Sequence, residues 1–356
     1  MSDSILFDNI YNTTIRIEEI ESLSPETQGK NSTVFIGKDL QMGKKFLIKK
    51  INIKNLRKST SDIFEEAKIL ANSMHRNIMP LQYSSYDEEY IYMAIPYFKN
   101  GSLNEYINKF TTNQKMIEYC LDFLSGLAHA HILGILHLDI KPSNIVIDDS
   151  DRALLTDFGQ SHLLGDDESV AFTKPIYLRN FTPNILVKKE VCVDDDIYQV
   201  GLMIYRIFND FYYQESLNDL EKIVNQDQFI KYILERKFPN NNFMPNVPNK
   251  IRSIIKKCLG RANDSYNSVI EVMNDLSRVD KQLHVGYEYH KESQTIKWRK
   301  LTETAIINIE IDLNSNNVIA KRENIASGNI RNVTKLNKSF NSRKDAFEAI
   351  KSHLEE

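Results

Sequence analysis

The sequence predicts an α+β protein of two unequal lobes, a small strand-rich one followed by a larger helical one, with a short α+β module appended behind them. Three changes of texture carry that reading. Runs of β-branched, aromatic and aliphatic residues, separated by turn signals, fill residues 33–53 and return at 90–95. From Leu103 to about Leu276 apolar residues recur at helical spacing instead. Beyond about residue 285 the alternation of strands comes back. These changes mark an N-terminal extension over 1–24, a small lobe over 25–95, a connecting segment and large lobe over 96–280, and the module over 281–356.

In the small lobe, Val34-Phe35-Ile36-Gly37 reads as one strand and Phe46 to Ile51 as the next, with a turn at Gln41-Met42-Gly43. Ser61 to Met74 reads as a helix: Ile63, Ala67, Leu70 and Met74 share a face, and Ser61 stands at the cap position. Tyr90 to Ile95 is a third strand, ended by Pro96. Helices are expected over Gln114–Leu133, Asp194–Phe208, Leu217–Arg236, Lys250–Leu259 and Tyr266–Leu276. In the module, Thr295 to Leu301 reads as a strand. Ile307, Ile309, Ile311 and Leu313 then alternate with Asn308, Glu310 and Asp312, the pattern of a half-buried strand. Asn314 to Asn317 supply a hairpin turn before Val318 to Lys321. Ser342 and Asp345 open a capping box, and Phe347, Ile350 and Leu354 form one face of the helix behind it.

Composition narrows the function. The 42% hydrophobic content supplies a packed core and argues against general disorder. Lys and Arg number 45 against 48 Asp and Glu, and that net charge of −3 excludes a strongly basic nucleic-acid binder. Cys120, Cys192 and Cys258 lie far apart with no CxxC spacing, which fits neither a disulfide scaffold nor a structural zinc site and suits a reducing compartment. The opening Met1-Ser2-Asp3-Ser4 lacks the basic region of a secretory signal. No apolar run approaches the length of a membrane span. A cytoplasmic protein that does not enter membranes is expected.

The chemistry concentrates in His137-Leu138-Asp139-Ile140-Lys141-Pro142-Ser143-Asn144, followed by Asp157-Phe158-Gly159. Phosphoryl transfer needs metal ions on phosphates, a positioned hydroxyl and positive charge on the nucleotide. Asp139 and Asn144 stand five apart, which suits one residue orienting a nucleophile and another holding a metal. Asp157 lies between the strand-like Leu154-Leu155-Thr156 and Gly159, where a carboxylate projects towards magnesium. Lys49 reaches phosphates from a strand, and Glu66 on the following helix holds it by an ion pair. Any one of these residues alone is an ordinary strand lysine, helix glutamate, turn or cap. Together and in this order they point to one chemistry.

Over roughly residues 25 to 280, about seven tenths of the chain, these residues resemble the eukaryotic-type protein kinase superfamily. The resemblance implies a bilobal protein-kinase fold with a β-rich N-lobe and an α-helical C-lobe. It implies ATP and Mg²⁺ as cofactors and a protein substrate. Lys49 corresponds to the lysine on the α- and β-phosphates, and Glu66 to its helix partner. Ile95 corresponds to the gatekeeper, and Pro96 and Phe98 to the hinge residues that offer adenine a carbonyl and an N–H. Asp139 corresponds to the catalytic aspartate, Lys141 to the lysine balancing the γ-phosphate, and Asn144 and Asp157 to the metal ligands. Asp196, in Asp196-Ile197-Tyr198-Gln199-Val200-Gly201, resembles the helix aspartate that ties down the catalytic loop. Leu70, Leu81, His137 and Phe158 occupy the positions of a hydrophobic spine.

The pattern departs from the family at three places. The glycine-rich loop becomes Thr27-Gln28-Gly29-Lys30-Asn31-Ser32-Thr33-Val34, keeping only Gly29 and Val34. Leu138 replaces the arginine usual before the catalytic aspartate, a residue that reads a phosphorylated activation segment. Leucine cannot do so, so activity is expected not to depend on that switch. An ion pair at the end of the segment is also missing: Phe181 stands near the glutamate's position and Tyr266 at the arginine's. Losing both partners is compatible with a repacked contact, whereas losing one would strand a buried charge.

Lys141 together with Thr173 resembles serine/threonine kinases more than tyrosine kinases, and Ser161, Ser169 and Thr173 are candidate phosphosites. The expectation is therefore an ATP- and Mg²⁺-dependent Ser/Thr protein kinase that also phosphorylates itself. The alternatives are a pseudokinase acting as a nucleotide-binding protein or scaffold, favoured by the degraded loop, and a small-molecule phosphotransferase. Residues 281–356 carry 13 Lys and Arg against 10 Asp and Glu. Trp298 between Lys297 and Arg299 could stack on nucleic acid, but a strand with one buried face is the favoured reading. This module is a candidate site for a regulatory or recruiting partner or for self-association.

Overall fold

In a computed structural model the described residues are 14–23, 32–55, 65–106, 111–164, 168–172, 181–223, 225–279 and 287–355, without the side chains of 55, 65, 66, 111 and 355. The chain divides into two compact units, residues 1–72 with 80–97, and residues 73–79 with 98–356.

The first unit is built on an antiparallel sheet of β1 (Ile17–Ser22), β2 (Ser32–Asp39), β3 (Lys45–Asn52), β4 (Tyr83–Tyr86) and β5 (Tyr90–Pro96), in the order β1-β2-β3-β5-β4. Period-two alternation sends Phe46 and Ile48 of β3 into a core with Phe35 and Ala94, while Lys49 points to the other face. The β2–β3 turn is set by Asp39, whose carboxylate accepts the N–H groups of Gln41 and Met42, and by Gly43 at φ 67°. Pro96 is the last residue of β5, opposite Phe46, so the strand ends there as expected. Helix α1 (Glu65–Asn72) stops two residues short of the expected end at Met74, which is exposed rather than on the apolar face, while Ser61 and Ile63 lie outside the described residues.

The second unit contains α2 (Leu103–Tyr106), β6 (Thr111–Thr112), α3 (Asn113–Ile132), β7 (Ile135–Leu136), β8 (Ile145–Ile147), β9 (Ala153–Leu155), β10 (His162–Leu163) and β11 (Val170–Ala171). It continues with α4 (Pro183–Lys188), β12 (Glu190–Val191), α5 (Val193–Glu221), α6 (Gln226–Leu234), α7 (Asn249–Cys258) and α8 (Val269–Ser277). Helix α3 is the buried spine of this unit, with Phe123, Leu124 and Leu127 fully enclosed. Gly126 is required there, since a Cβ would stand 2.4 Å from the Asn77 carbonyl. Two expected helices differ. Asp194–Phe208 runs on to Glu221 through a break at Asn209 (φ −146°, ψ 34°), whose side chain bonds the Met244 N–H and the Asn242 carbonyl. Leu217–Arg236 is divided, because Asn225 caps α6 through the N–H groups of Asp227 and Gln228.

The segment from 287 forms β13 (Tyr287–Lys291), β14 (Thr295–Leu301), β15 (Ala305–Asp312), β16 (Asn317–Asn324), β17 (Ile330–Asn332), β18 (Lys338–Ser339) and α9 (Arg343–Glu355). It lies in the same compact unit as α2 to α8. Its antiparallel sheet runs β17-β16-β15-β14-β13-β6, so the last strand in the row comes from the region before α3. The hairpin at 314–317 forms with Asn316 at φ 53°, and Ser342 caps α9 at the Asp345 N–H. Trp298 is 1% exposed.

Candidate active site

The loop between β7 and β8 is bound from below by α5. Asp196 is fully buried and accepts the His137 N–H at 2.8 Å and the Leu138 N–H at 2.7 Å, and His131 Nε2 lies 2.8 Å from it. Burial alone would raise this carboxyl, but the bonds from His131 and His137 outweigh it and hold it below the ordinary value. Gln199, one turn further along the same face, accepts the Ile140 N–H at 2.9 Å and donates to the Leu138 carbonyl at 3.0 Å. Four backbone groups of the loop, on His137, Leu138 and Ile140, are thus fixed by two side chains of one helix.

The chemistry-bearing side chains then converge. Lys141 Nζ lies 2.7 Å from Asp139 Oδ2, and Asn144 Nδ2 donates to the carbonyl and to Oδ2 of Asp139, each at 2.8 Å. Asp139 and Asn144 are buried and Lys141 is half-buried. The Thr156 carbonyl only accepts, so His137 carries its proton on Nε2, at 3.0 Å, and Nδ1 accepts the Asp139 N–H. The Thr156 N–H donates to the Asn144 carbonyl, which ties the loop to β9 and the residue before Asp157. Asp157 has left-handed backbone (φ 62°, ψ 72°) ahead of a 3₁₀ turn over Phe158–Gln160. Phe158, 1% exposed, packs edge-on against His137 at 4.8 Å.

Leu138 also has positive φ (62°), and its side chain is buried with Leu136, Ile185 and Val191. Leu164, Val170, Phe172 and Phe181 pack on that cluster. Ladders β7–β10 and β11–β12 fasten the described parts of the segment after Asp157. An apolar contact stands where the family's arginine would meet a phosphate. Phe181 leans on Phe229 and Tyr266 donates to Asp275, so the two residues in place of the missing ion pair have separate partners. A cavity of about 280 Å³ near Tyr266, Arg236 and Asp194 includes none of the catalytic-loop residues.

In the first unit, Lys49 is half-buried in β3 opposite Val34 and Met93, and Val34 is half-buried in β2. Pro96 and Phe98 are half-buried at the end of β5 and two residues beyond. Leu70 is buried and Leu81 half-buried. Gly29, Thr173 and the side chain of Glu66 lie outside the described residues. Ser161 is fully buried and its hydroxyl lies 3.5 Å from the His137 carbonyl, so in this conformation it is not presented for modification. Ser169 bonds Glu190. Sequence reasoning missed Gln199 and His131. Gln199 stands three residues from Asp196, a spacing that places both on one helix face.

Residues 27–276 match the family described as the protein kinase domain. The chain belongs to that family. It is 24% identical over 283 residues to mouse 3-phosphoinositide-dependent protein kinase 1, covering 77% of this chain and 47% of the relative. It is 29% identical over 212 residues to Arabidopsis thaliana MAP3K epsilon protein kinase 2, covering 56% and 15%. It is 28% identical over 199 residues to a probable serine/threonine-protein kinase of Dictyostelium discoideum, covering 54% and 31%. The chain thus spans about half or less of the length of these relatives. Among the described residues no helix is long and apolar enough to cross a membrane.

Proposed function

We propose that this chain is a protein serine/threonine kinase that transfers the γ-phosphate of ATP with Mg²⁺, itself among its substrates. The observation that supports it most is Asp139, held by Lys141 and Asn144 within a loop whose backbone is fixed by Asp196 and Gln199. Asp139 would accept and orient the substrate hydroxyl. Lys141 offers a half-exposed ammonium beside it for the transferred phosphoryl group. Lys49 would hold the other phosphates, and Pro96 and Phe98 the adenine, as the family resemblance assigns.

The donor set fits magnesium. Asn144 commits its amide nitrogen to Asp139, which leaves its oxygen as a ligand, and Asp157 adds a carboxylate. Mg²⁺ is usually held by one or two such oxygens plus substrate phosphates and water. Bound there, it would neutralise charge on the phosphates. The leucine at 138 and its apolar cluster support a segment that keeps its catalytic arrangement without a phosphate. A pseudokinase remains the second reading because the phosphate loop retains only Gly29 and Val34 of the family pattern.

The test is transfer from γ-labelled ATP and Mg²⁺ to a generic protein and to the chain itself, beside Asp139→Ala and Asp157→Ala. Label on Ser or Thr that disappears with both variants supports the kinase. Thermal stabilisation by ATP and Mg²⁺ without transfer would favour the pseudokinase.

A further inference from the structure

The segment from 287 to 355 touches both helices that hold the catalytic loop, and at defined points. At α3, Thr112 pairs with Glu288 of β13, and the same threonine caps the helix through the Lys115 N–H at 3.1 Å. The next residue, Asn113, is 4% exposed and donates to the Asn246 carbonyl at 2.7 Å. Asn246 Oδ1 in turn accepts the Trp298 indole N–H at 3.0 Å. The start of α3 is therefore joined to the module by a strand ladder and by a buried polar relay. The other end of α3 delivers His131 to Asp196 and runs into the catalytic loop.

At α5 the grip falls beyond the break at Asn209. Phe347 of α9 packs edge-on against Phe211, Tyr212 and Trp298, at 6.2, 6.2 and 6.4 Å. The Arg343 guanidinium and the Lys291 ammonium both lie over the Phe211 ring, at 5.0 and 5.3 Å. Arg343 also pairs with Glu215 at 3.1 Å. The first half of this helix carries Asp196 and Gln199. Undocking would expose Trp298, Phe347 and Phe211 together and leave the buried Asn246 side chain without its donor, costs that disfavour an independent, tethered module.

We propose that residues 287–355 are a brace of the catalytic centre, folding cooperatively with α3 and α5 and holding the catalytic loop through them. The activity arm of the test rests on the kinase reading, whereas the exchange arm does not. In the full chain, Trp298→Phe removes the N–H donor and keeps a smaller aromatic ring in its place; Phe347→Ala removes the aromatic contact. Hydrogen exchange is measured for each by mass spectrometry, with phosphate transfer assayed well below each melting temperature. In Trp298→Phe, amides of residues 111–117 should exchange about five-fold faster or more, the scale of one lost hydrogen bond. In Phe347→Ala, residues 209–221 should loosen as well. The value of kcat per folded molecule, with the folded fraction measured on the same sample by circular dichroism, should fall with KM for ATP held within about two-fold; a purely structural loss of folded protein would lower the apparent kcat but leave the value per folded molecule unchanged. Unfolding of the whole chain by Phe347→Ala, with Trp298→Phe still folded, also supports the brace. Faster exchange confined to 287–355 with kcat unchanged, or separate melting of the module in the wild type, overturns it. If the wild type transfers no phosphate, the exchange pattern alone decides.

Discussion

Asp196→Asn removes one charge and keeps the shape, so it isolates what the carboxylate does for the catalytic loop. Oδ1 takes the Leu138 N–H, and Oδ2 takes the His137 N–H and faces His131. An asparagine oxygen can keep Leu138. Its NH₂ then opposes the His137 N–H, donor against donor, while His131 can change tautomer and accept. One buried amide left unpaired costs about 1–3 kcal/mol. The two bonds that survive lose their charge assistance, about 1 kcal/mol each. The expected loss is about 3–5 kcal/mol, read as a lower urea midpoint at pH 7. Transfer from γ-labelled ATP by the folded variant should drop at least about ten-fold if Asp139 has the proposed role of orienting the substrate hydroxyl, because the loop that positions it would shift. A midpoint equivalent to less than about 0.5 kcal/mol, with transfer unchanged, would refute the reasoning, since such losses are typical of sites that fix nothing.

Leu138→Ala should destabilise by about 2–5 kcal/mol through the cavity it opens and lower transfer, while phosphatase treatment leaves wild-type transfer unchanged. Loss of wild-type activity on phosphatase treatment would sink that expectation. Gly126→Ala forces a methyl against the Asn77 carbonyl and should lower the melting temperature, by an overpacking cost of about 1–3 kcal/mol. Acid should weaken the fold in two windows. His75 is held below 6.5 by burial first and then by His129 and Arg76, so the unfolded chain takes up that proton first. Stability therefore falls as pH drops through 6.5 and levels off below the folded value, and His75→Gln should flatten this slope. Asp196 is held below 3.8, so its contribution is complete above that value and fades as pH falls through the folded one. Urea midpoints across pH for wild type and His75→Gln check both.

The catalytic loop is legible because its chemistry demands particular residues at short, fixed spacing. Asp139, Lys141 and Asn144 lie within six positions and in the fold touch one another. What was not legible depends on partners far along the chain. The apolar spacing from 194 to 236 contains no sign that Asn209 would break α5, because the break is stabilised by bonds to Asn242 and Met244. Leu138 reads as a lost arginine; that it anchors an apolar cluster requires knowing where Phe172 and Phe181 return. Trp298 announces a strand with a buried face, yet its partner Asn246 sits in an irregular stretch without periodicity.

The pairing of Thr111 and Thr112 with β13 has a consequence in time. Those two residues leave the ribosome early, and the strand that completes their sheet is made half a chain later. Helix α3 can coil as soon as it is synthesised, but its first turn finds its ladder only after Tyr287–Lys291 has emerged. Closing so long a loop is entropically costly before any contact rewards it, which slows folding. Domains of a growing chain ordinarily fold from the N-terminus onward. Here the helix that runs into the loop at 137–144 has to wait for its strand partner, so a nascent chain lacking that strand is expected to hold that loop unfinished.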